Sequence, residues 1–112
     1  MQDIPALVKA AHARGAVVVM DNTWAGPLYF KPLAHGVDIC IEAATKFIAG
    51  HSDLVMGVIS ARTPELYKQL RAFCVQMGEI ASADDCYMAL RGLRTLKVRM
   101  DAQYASALEL AR

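Results

Sequence analysis

The sequence has little net charge and no long apolar segment, and these two shortages exclude several classes of protein. Among its 112 residues, 12 Lys and Arg balance 11 Asp and Glu, so the net charge of +1 provides no field for attracting nucleic acid or anionic membranes. No apolar run approaches the length of a membrane span, and residues 1–13 lack the continuous hydrophobic region of a secretion signal. We therefore expect a cytoplasmic protein that binds neither nucleic acid nor membranes.

Cysteine is also scarce. Cys40, Cys74 and Cys86 lie inside apolar segments, with no CxxC motif and no cluster with histidine. An odd number of cysteines without metal-ligand spacing favours buried thiols in a reducing compartment over a disulfide framework, and it predicts no metal site.

Hydrophobic residues, in contrast, make up 55% of the chain, which is a high share for so few residues. Part of this apolar surface is expected to be covered by a partner subunit or by a further part of the chain. The chain also opens on a predicted helix that precedes the first strand, and it closes on a long predicted helix. We therefore expect a fragment of a longer protein, and one that forms a homo-oligomer.

Hydrophobic periodicity predicts an α/β fold of three strands with flanking helices. Asp3, Thr63 and Ser82 are predicted helix caps, and Gly92 is expected to weaken or bend the last helix. Residues 22–36 and 46–53 are predicted to be loops. The predicted strands are Ala16–Met20, Val37–Ala43 and Leu54–Ala61, and the predicted helices are 3–14, 64–77 and 83–112.

Reactive side chains follow the first two predicted strands. Asp21 comes directly after Val17–Met20, and Lys46 follows Thr45 at the end of the second run. Because ligands of α/β sheets bind at strand ends, Asp21 and Lys46 are expected to face one pocket. An isolated lysine more often lies on a solvated loop, but in a dry pocket its amine can attack an aldehyde. With an acid for a pyridine nitrogen and a threonine for a phosphate, these groups match the requirements of pyridoxal 5'-phosphate.

The motifs at these positions strengthen that interpretation. The segments DNTW (21–24), ATK (44–46) and GHSD (50–53) resemble the cofactor-binding core of the cysteine/methionine-metabolism family of fold type I pyridoxal-phosphate-dependent enzymes. The resemblance implies that Lys46 bonds the cofactor and is the catalytic base, that Asp21 pairs with the ring nitrogen, and that Thr45 contacts the phosphate. Many relatives have serine where this chain has Ala43. It also implies that residues 1–112 are a fragment of the large cofactor-binding domain, with 83–112 leading towards an absent C-terminal domain.

Residues 28–38 and 87–96 are most similar to the β-lyase branch of that family. This implies a carbon–sulfur lyase that converts cystathionine, a small sulfur amino acid, to homocysteine, pyruvate and ammonia in methionine biosynthesis. Trp24 is a candidate substrate-pocket residue. Relatives that act at Cγ share the cofactor core, so a γ-synthase, γ-lyase or sulfhydrylase is an alternative. The chain by itself is expected to be inactive, either as a structural fragment or as a cofactor-binding module without turnover.

The other polar and aromatic residues are assigned structural roles. Phe30 is expected to pack, His51 to bond the backbone or a neighbouring acid, and Asp53 to brace the lysine loop. The basic run is interpreted as a solvated helix face or a subunit contact, and it consists of Arg91, Arg94, Lys97 and Arg99.

Overall fold

The computed structural model describes residues 2–112 and has the predicted α/β architecture. Strands and helices alternate at first, and three helices then follow one another. The strands are β1 (Val19–Asp21), β2 (Ile39–Ala43) and β3 (Gly57–Ala61), and the helices are α1 (Ile4–His12), α2 (Gly26–Tyr29), α3 (Pro64–Met77), α4 (Ala83–Leu93) and α5 (Leu96–Leu110), with a 3₁₀ turn at Pro32–His35. Across residues 2–112, every helix is too short or too polar to cross a membrane.

The three strands form one sheet in the order β1-β2-β3. β1 and β2 are parallel, with Val19 opposite Ile39 and Asp21 opposite Ile41. β3 runs antiparallel to β2, because the backbone hydrogen bonds that flank the pair join Arg62 to Asp38 and Met56 to Thr45. β1 and β2 therefore end at the same edge of the sheet.

Each strand is shorter than predicted, and side chains explain two of the differences. The Val18 N–H donates to the carboxylate of Asp38 (2.8 Å), and the Met56 N–H donates to the hydroxyl of Thr45 (3.0 Å). A backbone donor that is engaged by a side chain cannot take part in the strand ladder. β1 and β3 consequently begin after these residues rather than at Ala16 and Leu54.

The chain divides into two compact units, and the first consists of residues up to Glu42 together with Gly57–Ile80. Its buried Asp38 accepts hydrogen bonds from Val18 N, from His12 Nε2 (2.8 Å) and from Arg62 Nη2 (2.6 Å). These donors, with the Val18 N–H contributing most, hold the pKa of Asp38 well below its usual range. One carboxylate thus joins the end of α1, the start of β1 and the residue after β3.

The second unit consists of Ala43–Met56 and Ala81–Arg112, and in it the single helix predicted over 83–112 is wrong. α4 ends at Leu93 and α5 begins at Leu96, since the Thr95 N–H and hydroxyl both donate to the Gly92 carbonyl (3.1 Å each). Gly92 does mark the point of interruption, as expected. The core of this unit contains Ala49, Leu54 and Ala89, with Met56 and Met88 packed against it.

Capping was predicted well. The side chains of Asp3, Thr63 and Ser82 accept hydrogen bonds from the N–H groups of Ala6, Leu66 and Asp85, respectively. By contrast, the segment 22–36 is not a plain loop, because it contains α2 and the 3₁₀ turn.

Candidate functional site

Asp21 is the last residue of β1, and its carboxylate is exposed at the edge where β1 and β2 end. The Asp21 carboxylate accepts a hydrogen bond from the Thr23 N–H (2.9 Å). The Thr23 hydroxyl, and then this N–H, lower the pKa of Asp21 because both favour the charged form. The strand end therefore presents an ionised carboxylate, which is the group needed to hold a proton on a basic ring nitrogen.

Asn22 secures the segment that follows Asp21, and this role was not predicted from the sequence. Its side chain is buried, and its amide nitrogen donates to the carbonyls of Gly26 and Phe30 (3.1 Å each) and to Glu42 (2.9 Å). The Asn22 N–H also donates to the Ile41 carbonyl (2.8 Å), so the strand pairing continues past Asp21. Within the described residues the Asn22 Oδ1 atom is buried without a hydrogen-bond partner. The sequence does contain a signal for this role of Asn22, because an asparagine that directly follows an acid at a strand end favours a turn.

Lys46 lies in a tight turn that follows β2 directly. The Ala49 N–H donates to the Ala44 carbonyl, and the Gly50 N–H donates to the Lys46 carbonyl (2.8 Å each). Ala44 and Ala49 are buried beneath the turn, whereas Lys46 is exposed. The dry surroundings that were expected to activate the amine are thus not provided by this unit.

Among residues 2–112, the polar contacts of Thr45 are made with Met56. The Thr45 hydroxyl accepts from the Met56 N–H (3.0 Å) and donates to the Met56 carbonyl (3.3 Å), to which the Thr45 N–H also donates (3.2 Å). Since a hydroxyl has only one proton to donate, this proton is committed to Met56. Thr45 braces the lysine turn here, and its contact with a phosphate stays a prediction.

Of the two aromatic residues in this segment with a predicted role, the prediction is confirmed for Phe30 only. Phe30 stacks on the ring of His35 with centroids 4.9 Å apart, which confirms a packing role. Trp24 is 94% exposed, so its role in a substrate pocket stays a prediction.

Two residues near the lysine turn have the structural roles expected of them. His51 Nδ1 donates to the Ala49 carbonyl (2.6 Å), and Asp53 pairs with Arg91 of α4 (2.9 Å). Arg91 and Asp53 are both exposed, so this ion pair lies on the solvated face that was expected for Arg91. The described residues contain no group of three or more His, Cys, Asp or Glu side chains that could hold a metal ion.

Arg99, by contrast, was assigned wrongly to a solvated or subunit-contact face. Its guanidinium donates to the carbonyls of Phe47 (2.9 Å), Ile48 (3.2 Å) and Gly92 (2.8 Å), and its Nε donates to the Thr95 hydroxyl (2.9 Å). Arg99 thus binds the turn that carries Lys46 to the junction of α4 and α5.

The predicted site residues are distributed over the two compact units. Asp21 and Trp24 belong to the first unit, whereas Lys46 and Thr45 belong to the second. The expectation that Asp21 and Lys46 face one pocket stays a prediction.

Comparisons with known proteins agree with the α/β fold. A Rhizobium johnstonii protein provisionally named cystathionine beta-lyase is 51% identical over 112 residues, which are all of this chain and 28% of that protein. A Dictyostelium discoideum cystathionine gamma-lyase is 46% identical over 94% of this chain and 27% of its own length. The crystal structure of a cystathionine gamma synthase from Xanthomonas oryzae pv. oryzae superposes with a TM-score of 0.86 at 41% identity, over 88% of this chain and 25% of that one.

This chain therefore spans about a quarter of the length of the relatives that it matches. The α/β architecture is that of a fold type I enzyme, as in the solved synthase. The profile of one family, described as "Cys/Met metabolism PLP-dependent enzyme", matches residues 1–112. Since this match covers the whole chain, the protein belongs to the Cys/Met metabolism family of pyridoxal-phosphate-dependent enzymes.

Proposed function

We propose that the full-length protein is a carbon–sulfur lyase that cleaves cystathionine at Cβ to homocysteine, pyruvate and ammonia, in methionine biosynthesis. The family depends on pyridoxal phosphate, and its members include lyases that act on sulfur amino acids. The observation that carries the proposal is the ionised Asp21 at the end of β1, together with the exposed Lys46 directly after β2. The overall reaction consumes one water molecule, which hydrolyses the three-carbon elimination product to pyruvate and ammonia.

The residues of this chain fit the cofactor in two respects. The Asp21 carboxylate is exposed at a strand end and held in its charged form by Thr23, as a partner of a pyridinium nitrogen must be. The Lys46 amine is exposed and accessible to the aldehyde. Phosphate contacts are less complete, because the donors of Thr45 are engaged by Met56 and Ala43 has no hydroxyl. We infer that other parts of the full-length protein supply the remaining phosphate donors.

In the proposed mechanism, Lys46 and Asp21 each control one proton. When bound, pyridoxal phosphate supplies an electron-accepting ring that stabilises negative charge at the substrate Cα. The neutral Nζ of Lys46 removes the proton from Cα as a general base. The carboxylate of Asp21 keeps a proton on the ring nitrogen, and this role requires the ionised form, which the hydrogen bonds from Thr23 favour. As the Cβ–S bond breaks, the leaving sulfur takes up one proton, which balances the proton that Lys46 removed from Cα, and it departs as the thiol homocysteine.

Cleavage at Cγ is the second candidate, and a specific observation favours it. The Dictyostelium relative is a cystathionine gamma-lyase, and the superposed structure is a gamma synthase, at identities only slightly below that of the Rhizobium protein. The β-lyase assignment is supported by that Rhizobium relative and by residues 28–38 and 87–96. Incubation of the full-length protein with cystathionine distinguishes the two reactions, because β-cleavage releases pyruvate and γ-cleavage releases 2-oxobutyrate.

The lysine assignment is tested by reduction with borohydride after pyridoxal phosphate is added. We expect the full-length protein to gain a reduced adduct that peptide mass mapping places on Lys46, and Lys46→Ala to lose both the adduct and lyase activity. Lys68→Ala, at an exposed position in α3, is the matched control and should retain both. Retention of the adduct in the Lys46→Ala variant would falsify the assignment.

We also propose that the enzyme is a cytoplasmic homo-oligomer and that this chain alone does not turn over. The described residues leave several large apolar side chains more than 70% exposed, including Val55, Ile80 and Leu110, and such surface favours association. Size-exclusion chromatography of the full-length protein tests the oligomeric state, and elution as a monomer would contradict the proposed homo-oligomer.

A further inference from the structure

In the turn that carries Lys46, the backbone carbonyls of Phe47 and Ile48 have no hydrogen-bond partner inside the turn itself. The hydrogen bonds inside the turn use the carbonyls of Ala43, Ala44 and Lys46, but not those of Phe47 and Ile48. A backbone carbonyl without a partner is costly in a partly buried segment, so the position of this turn depends on the group that binds these two atoms.

Arg99 is that group. Its Nη1 and Nη2 atoms donate to the carbonyls of Phe47 and Ile48, which are the two residues directly after Lys46. The same guanidinium donates to the Gly92 carbonyl at the end of α4 and to the Thr95 hydroxyl before α5. Four contacts from one planar fork hold the turn against both helices, and a lysine ammonium cannot reproduce this arrangement.

The glycine at position 50 supports this interpretation. Gly50 ends the turn with a φ of +71°, and a Cβ atom placed there would collide with the guanidinium of Arg99. The chain therefore keeps space for the Arg99 side chain at the point where the turn closes. On the other side of the turn, the hydrogen bonds between Thr45 and Met56 hold the residue that precedes Lys46.

We propose that Arg99 is a positioning residue for Lys46, in that it fixes the turn from which the amine reaches the cofactor aldehyde. This proposal rests on the proposed function of Lys46. Arg99 itself touches neither substrate nor cofactor in the proposal. It acts by restricting the directions that the Lys46 side chain can take.

The first test is amide hydrogen exchange of the full-length protein without cofactor. Arg99→Lys keeps the charge and the aliphatic stem but removes the fork, so we expect the protection of the Ala49 and Gly50 amides to fall by about tenfold or more. Arg94→Lys is the matched control, since Arg94 lies at the α4–α5 junction and makes none of these contacts, and it should leave both amides unchanged. Unchanged protection in Arg99→Lys would overturn the proposal.

The second test is the rate at which the borohydride-reducible adduct forms on Lys46 after pyridoxal phosphate is added, measured across pH 6–10. Arg99→Lys should slow this rate by about tenfold and change its pH profile, because the amine is less well positioned. Gly50→Ala should also slow the rate, because its Cβ displaces the guanidinium of Arg99 without changing Arg99 itself. Wild-type rates in both variants would also overturn the proposal. If the wild-type protein forms no adduct on Lys46, the proposed function fails, and the exchange experiment still decides whether Arg99 orders the turn.

Discussion

Gly92→Ala provides a sharp test of how α4 packs on the lysine turn. Gly92 is buried near the end of α4, and a Cβ atom there would lie 2.5 Å from the Ile48 carbonyl oxygen and 2.7 Å from the Ala49 carbonyl carbon, with the Ala49 oxygen closer still. These obstacles are backbone atoms of the turn, so no side-chain rotation can relieve the overlap. Either α4 or the turn must move by about 1 Å to restore ordinary contact distances.

Two opposing effects determine the magnitude. Alanine is favoured over glycine inside a helix by about 1 kcal/mol, which would stabilise the variant if the site were open. Overpacking against rigid neighbours costs about 3 kcal/mol at the upper end of its usual range, which applies here because the neighbours are main-chain atoms. The expected result is a net destabilisation of about 2 kcal/mol, or roughly a 30-fold increase in local opening.

Native-state hydrogen exchange of the full-length protein is a suitable assay because it reports local opening without requiring two-state unfolding. Peptides that cover α4 and residues 44–50 should exchange about 30-fold faster in Gly92→Ala. Gly57→Ala is the control, because a Cβ atom at Gly57 in β3 meets nothing within 4 Å, and its expected effect is neutral or slightly stabilising. If amide protection in Gly92→Ala equals or exceeds that of the wild type, α4 does not pack as closely on residues 44–50 as described.

Three further predictions concern the first compact unit. Folding lowers the pKa of Asp38, so the Asp38 carboxylate stabilises the folded protein fully above the unfolded pKa of about 3.9, and this stabilisation is lost as the pH falls below that value. Asp38→Asn should therefore lower the free energy of unfolding by about 2 kcal/mol at pH 7. In urea unfolding experiments, the variant should also lack the loss of stability that the wild type shows in acid. Burial, with smaller effects of neighbouring acids, raises the pKa of the Cys40 thiol from 9.0 to about 11. The fraction of Cys40 that is thiolate at pH 8 therefore falls about 100-fold. Iodoacetamide should label the exposed Cys86 long before it labels Cys40. Equal labelling of both thiols would contradict the burial of Cys40. Asn22→Ala leaves several acceptors unpaired and should destabilise the unit by about 3 kcal/mol, and a loss below 1 kcal/mol would refute its bracing role.

The features predicted correctly from the sequence are those encoded by near neighbours. Thr63 and Ser82 bond N–H groups three residues further on, and this local relation is visible as a residue type at a fixed offset from an apolar pattern. The strand runs are visible for the same reason. Their exact starts were missed because the Asp38 carboxylate and the Thr45 hydroxyl take N–H groups of residues 20 and 11 positions away, respectively.

The errors around α4 and α5 have a different origin. Apolar residues recur at helical spacing through residues 83–112, so periodicity predicts one helix. The hydrogen bonds from Thr95 to the Gly92 carbonyl, which mark the break, leave no sign in that pattern. Arg99 bonds backbone carbonyls 51 and 52 residues away, and a carbonyl leaves no mark on the identity of its residue. A basic side chain on a polar helix face therefore looks the same in sequence whether it faces water or a loop.

Asp21 and Lys46 are both held by neighbours that leave the reactive side chain exposed. A segment that follows a strand has backbone carbonyls that the sheet no longer pairs, and each unit satisfies them with one planar side chain that carries several donors. Asn22 does so for Gly26 and Phe30 after β1, and Arg99 does so for the two residues after Lys46. Asn22 and Arg99 make most of the side-chain hydrogen bonds that hold these two segments, and the carboxylate of Asp21 adds its contact with Thr23. Substitution of Asp21 or Lys46 should therefore affect cofactor binding far more than stability, whereas substitution of Asn22 or Arg99 should affect the order of the segment first.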